Sequence, residues 1–144
     1  MRTRAFISAT ALAASSLLTG CGGDHGAGAS VGCLELGRAV LDEIADGLVV
    51  KADVVGGWAV ELPLDEQKYG FEWVAAVKVS DKNGDQTTVL GLDNPKDPRL
   101  IANVDAMSEV YFQWGGAAQK GSPMATYQRD LDLSDASKTA QDCL

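Results

Sequence analysis

Between Phe71 and Asp93 two apolar-rich arms flank a central Asn83-Gly84. Few patterns restrict a backbone so tightly. Asparagine and glycine tolerate the positive φ angles of a type I′ turn, and that turn matches the twist of the two strands it joins. Pairing outward from an Asn83-Gly84 turn sets Val79 opposite Thr88, Val77 opposite Leu90 and Ala75 opposite Leu92. The apolar side chains then share one face, and Lys78 and Ser80 lie on the other beside Val89 and Thr87. An antiparallel hairpin over Phe71–Asp93 is therefore the first expectation.

The flanking segments extend it. Leu34, Val40, Leu41, Ile44 and Leu48 recur at helical spacing, with Gly47 placed as a C-terminal cap. Val50, Ala52 and Val54 then alternate as a strand, and Gly56-Gly57 reads as a turn into Trp58–Leu62. A three-residue loop or bulge there aligns the apolar residues of both arms, whereas a two-residue turn puts Lys51 on the Trp58 face. The first arrangement is favoured because a one-residue slip exchanges buried and exposed faces. Asn94 to Pro98 breaks the chain. Strands are expected near Leu100–Val104, over Glu109–Trp114 and over Thr126–Leu133, and Ser134 reads as the cap of a short helix toward Cys143. The predicted class is α+β: one N-terminal helix packed on an antiparallel β-meander, with a short C-terminal helix, in a single domain over 33–144.

The first twenty residues follow different rules. Arg2 and Arg4 precede an apolar, small-residue run from Ala5 to Leu17, too short to span a bilayer, and no acid occurs there. Leu18-Thr19-Gly20-Cys21 follows. This order of features resembles the signal peptide and lipobox of bacterial lipoproteins. The resemblance implies that 1–20 is a cleaved signal with Leu18, Thr19 and Gly20 as recognition residues. Cys21 becomes the lipidated N-terminus, holding the protein to a cell membrane or outer membrane on its extracytoplasmic side. Residues 21–32 then form the lipidated cysteine and a Gly-rich tether. Two or three acyl chains, each methylene worth about 0.8 kcal/mol, anchor a protein where one chain does not.

Composition agrees with an acyl anchor rather than an electrostatic one. Removing 1–20 takes away two arginines and no acid, so the net charge moves from −8 to −10. A surface of that sign repels nucleic acid and anionic lipid headgroups. With Cys21 taken by lipid, Cys33 and Cys143 remain at opposite ends of the domain, and an export signal places them where disulfides persist. A bond between them is expected.

Candidates for chemistry are sparse. His25, the single histidine, sits in the tether and offers no oriented imidazole for a Ser/His or Cys/His system. Asp81-Lys82-Asn83-Gly84-Asp85 lacks the glycine and glutamate spacing of a calcium loop. Asp130 with Asp132, Asp93 with Asp97 and Asp65 with Glu66 are paired carboxylates that equally suit a wet surface. No catalytic residue, metal ligand or cofactor site is assigned. In an alternating strand Tyr111 points away from Phe112 and Trp114, so Tyr111 is the residue expected to meet a partner. The functional expectation is a lipid-anchored extracytoplasmic module that binds a protein or small ligand without catalysis. The alternatives are a small carboxylate-dependent enzyme acting on envelope polymers and a structural envelope component.

Overall fold

The computed structural model describes residues 32–115 and 122–144. The signal segment, Cys21, the tether with His25, and most of the small-residue loop before Pro123 lie outside the described residues. The architecture is α+β, with a five-stranded antiparallel sheet and four helices among the described residues. Strands β1 (Cys33–Glu35), β2 (Asp53–Glu61), β3 (Trp73–Asp81), β4 (Gly84–Leu92) and β5 (Ile101–Asn103) lie side by side in chain order. Helix α1 (Arg38–Ala45) stands between β1 and β2, and α2 (Ala106–Tyr111), α3 (Pro123–Asp132) and α4 (Asp135–Asp142) follow the sheet.

Two cores result, one on each sheet face. Val40, Leu41 and Ile44 of α1 bury against Ala59, Ala75, Val77, Val79, Leu90 and Leu92, and Tyr111 and Phe112 close that layer. Val74, Ala76 and Val89 point the other way, onto Tyr127 and Leu131 of α3 and Ala136 and Ala140 of α4. The single helical layer expected from the sequence is thus corrected to helices on both faces. Val74-Ala75-Ala76-Val77, all with no measurable exposure, is the physical signature: a strand buried on both sides has no wet face to alternate with.

Several local expectations change as well. The β3–β4 hairpin forms, but Val79 faces Gln86, Val77 faces Thr88 and Ala75 faces Leu90, a slip of two residues. The closing pair is Asp81↔Gly84. Asp81 explains this: its carboxylate accepts from the Asn83 N–H at 2.7 Å, so Lys82-Asn83 becomes the centre of the turn. Gly84 takes the positive φ, at +110°. A slip of two preserves every face, so the core is unaffected.

Gly56-Gly57 does not turn the chain. Both lie inside β2, which pairs with β3 along its length and carries a bulge between Val54 and Gly56. A Cβ on Gly57 would meet Leu36 Cδ1 at 2.9 Å and the Ala76 carbonyl at 3.2 Å, so this glycine admits the α1 segment close to the sheet. Leu34 belongs to β1 rather than to the helix, and Leu48 forms an isolated bridge with Phe112.

The strand expected over Glu109–Trp114 is helix α2 followed by that bridge. Asp105 caps the helix by accepting from Ser108 N–H at 2.7 Å, and the Ser108 hydroxyl accepts from Val104 N–H at 3.0 Å. The strand expected over Thr126–Leu133 is helix α3, started by a Ser122 cap with Pro123 in the first turn. Ser134 does cap the last helix, α4, by accepting from Ser137 N–H. Cys33 and Cys143 stand at disulfide-bonding distance, Cα to Cα 6.5 Å across 110 residues of sequence.

Candidate functional cleft

A depression of about 880 Å³ opens at the end of the sheet where the β3–β4 turn lies. Three segments build it. Residues 50–53 form one wall, Ser80 to Asn83 the floor and turn, and Val110 with Tyr111 the opposite side. Backbone hydrogen bonds fix the walls to each other: Val49 N–H donates to Tyr111 C=O at 2.9 Å, and Gln113 N–H to Gly47 C=O at 2.9 Å. The register pair Asp53↔Ser80 sets the near wall beside the floor.

Tyr111 is buried, at 5% exposure, and this corrects the expectation of a freely projecting side chain. As the last residue of α2 it turns inward on a helix instead of outward on a strand. Its hydroxyl donates to Asp81 Oδ2 at 3.0 Å, so the residue still lines the cleft. Val110, its neighbour, is the one that projects, at 57% exposure.

The electrostatics centre on Asp81. Its carboxyl is held below the usual carboxylate range, chiefly by the Asn83 backbone N–H, with the Tyr111 hydroxyl, the Asn83 side-chain amide and the charge of Lys82 acting in the same direction against burial. Tyr111 is pushed above the usual phenol range by burial first, then by Asp81. Both shifts favour one arrangement, a neutral phenol donating to an ionised carboxylate. Because Asp81's folded value lies below its unfolded one, its contribution to stability is present above the unfolded value and lost as pH falls below about 4. Tyr111→Phe is expected to raise the Asp81 value back toward that of a free carboxylate and to loosen the turn. A carboxyl-carbon NMR titration of Asp81 reads this directly; an unchanged midpoint would remove the coupling.

Lys51 and Lys82 lie on the same cleft, and among the described residues neither belongs to an ion pair. Asp53 and Ser80 add an exposed acceptor and a hydroxyl, and Val50 and Val110 give the rim an apolar edge. The cleft offers ammonium donors, carboxylate and amide acceptors and aliphatic contact on rigid supports.

The paired acids separate. Helix α3 turns Asp130 toward a depression of about 180 Å³ with Asp65 and Glu66, and Asp132 toward another of about 250 Å³ with Asp105 and Glu109. Asp132 is pushed up, mainly by burial and then by the charge of Asp105. The Asp105 carboxylate is already committed as the α2 cap. No group of three or more potential metal ligands occurs among the described residues. No helix of the described residues is long and apolar enough to cross a membrane. In comparisons with known proteins, no family model, curated protein or solved structure matches the chain.

Proposed function

We propose that the protein is a lipid-anchored, extracytoplasmic binding module whose ligand occupies the cleft at the β3–β4 turn. The observation that carries the binding half is the cleft itself. In a chain of net charge −8, it is where two lysines without an ion pair among the described residues, an internally satisfied aspartate and an apolar rim are held together. Ligand sites of this size combine aliphatic contact with a few fixed polar groups. The anchoring half is supported by the lipobox resemblance at Leu18-Thr19-Gly20-Cys21.

The geometry of attachment supports the same reading. Cys33 pairs with Val60 near the far end of β2, and Asp53 begins that strand beside the cleft. At about 3.3 Å per residue the chain enters the domain roughly 20 Å from the cleft. A tether leaving there presents the cleft away from the membrane. A carboxylate-dependent enzyme draws weaker support, because Asp132, the acid with the raised value, faces a carboxylate tied to a helix cap.

The anchoring test is direct. Cys21→Ser is expected to move the protein from the membrane fraction to the soluble extracytoplasmic fraction and to abolish incorporation of labelled palmitate. Unlabelled, still membrane-bound wild-type protein would defeat the anchor.

A further inference from the structure

The cleft continues past Asp53 along an edge of the sheet that no other strand pairs with among the described residues. Strand β1 pairs with β2 only through Cys33↔Val60, Leu34↔Ala59 and Glu35↔Trp58, and Leu36 N–H adds one bond to Gly57 C=O. The chain then leaves for α1. The first half of β2, residues 53–56, is therefore a sheet edge. Among the described residues no hydrogen bond reaches it from outside the β2–β3 ladder. A second depression, about 450 Å³, lies along it between α1 and β2, lined by Ala45, Leu48, Ala52, Asp53, Val54 and Val55 with Arg38 at its limit. Ala52 and Asp53 line both depressions, so the two adjoin at the start of β2. Three of the seven large exposed apolar side chains among the described residues line these depressions: Val50, Val55 and Val110.

We infer that these adjoining depressions receive an extended peptide strand of a partner protein, which adds to the open edge of β2 and carries a carboxylate side chain toward Lys51 and Lys82. This inference rests on the binding reading above and names its partner class. An unpaired edge supplies main-chain donors and acceptors in register, and the pockets beside it take alternate side chains of the added strand. The aliphatic wall of Ala45, Leu48 and Val54 suits β-branched residues on one face. Of the four charged residues that line the cleft, Asp81 already accepts from Asn83 and Tyr111 and Asp53 stands exposed at the start of the edge, while the two ammonium groups have no ion-pair partner among the described residues and are the groups left for a strand carboxylate. The bulge at Val55 interrupts the edge and limits the added strand to a few residues.

A second copy of this chain is a poorer occupant, because each copy carries a net charge of −8 or lower.

The test uses the full chain and a capped heptapeptide, Thr-Val-Asp-Val-Thr-Val-Asp, with two controls. One control is N-methylated at alternate residues on its pairing edge, and the other has both aspartates replaced by asparagine. Amide exchange of the protein is expected to slow at residues 53–57 on adding the parent peptide. N-methylation should weaken binding by roughly tenfold or more, since it removes the ladder donors. The asparagine peptide, and separately a Lys51→Glu, Lys82→Glu protein, should each weaken it by roughly tenfold. The two lysines are surface groups, and an unchanged circular dichroism spectrum certifies the variant's fold. Equal affinity of the N-methylated peptide, protection elsewhere, or no binding at millimolar peptide would each overturn the strand reading. So would a dimer whose 53–57 amides are already protected without peptide. None of these outcomes bears on membrane release of the Cys21 variant, so strand addition and anchoring fail separately.

Discussion

Replacing both Cys33 and Cys143 by serine is expected to cost the domain about 5 kcal/mol, the largest single loss available to it. The chain-entropy relation for a closed loop of 110 residues gives that figure at room temperature. The fold explains why the loss would not be absorbed locally. Strand β1 has three residues at the sheet edge, and the only described strand it pairs with is β2. Cys143 caps the C-terminal end of α4, whose Ala136 and Ala140 lie in the core on the other sheet face. The pair therefore ties the two layers together at both ends of the chain. Since a domain of this size has a net stability of about 5–15 kcal/mol, the serine variant should unfold at far lower denaturant or not fold at all. Urea titrations with and without a reductant, on the wild type, measure the same quantity without a substitution. Coincident midpoints, with both thiols alkylated before and after, would refute the clamp.

The sequence reads correctly where one periodicity operates alone. β3 and β4 pair around a turn signal, and the hairpin forms, although Val89, expected beside Lys78 and Ser80 on the polar face, is buried in the second core. The register slips by two because Asp81 captures the Asn83 N–H, and a shift of two leaves no trace in an apolar pattern. The errors fall where two periods agree. Tyr127 and Leu131 are four apart, which satisfies both a strand and a helix; Leu133 suggests the strand, yet it is 64% exposed. The Ser122-Pro123 start signal carried the answer. Val110, Phe112 and Trp114 alternate across a boundary, since α2 ends at Tyr111.

Glycine misleads in a different way. Gly56-Gly57 has the composition of a turn, but the sheet uses these residues for a bulge and for the approach of Leu36 and Leu41. Close approach depends on partners distant in sequence, so no local pattern announces it. The same holds for the cleft. Tyr111 stood out as an aromatic on a supposed strand. Its real role comes from a hydrogen bond thirty residues away, to an aspartate that sequence reading placed in a solvated turn. Lys51 and Lys82 gave no signal in sequence, because only the fold brings them to one cleft.

The second large effect is at Gly47, where substitution by alanine should destabilise the domain by about 3 kcal/mol. The sequence suggests a helix cap, but α1 ends at Asp46 without a left-handed residue, and Gly47 has no positive φ. Its role is contact. A Cβ at Gly47 would overlap the indole ring of Trp114 at Nε1 and Cε2. That ring cannot retreat cheaply, because its N–H donates to the Ile44 carbonyl at 3.1 Å, the oxygen that also accepts from Gly47 N–H at 3.1 Å. Alanine therefore imposes overpacking, worth about 1–3 kcal/mol, and breaks a hydrogen bond worth about 1 kcal/mol. The disturbance would also reach the cleft, since Gly47 C=O accepts from Gln113 N–H and Val49 N–H donates to Tyr111 C=O in the same ladder. A double-mutant cycle isolates the cause. In a Trp114→Ala background the added methyl meets no ring, so Gly47→Ala should cost less than about 1 kcal/mol there. Equal costs in both backgrounds would show that Gly47 serves its own backbone, as the cap reading supposes, and not the indole packed against it.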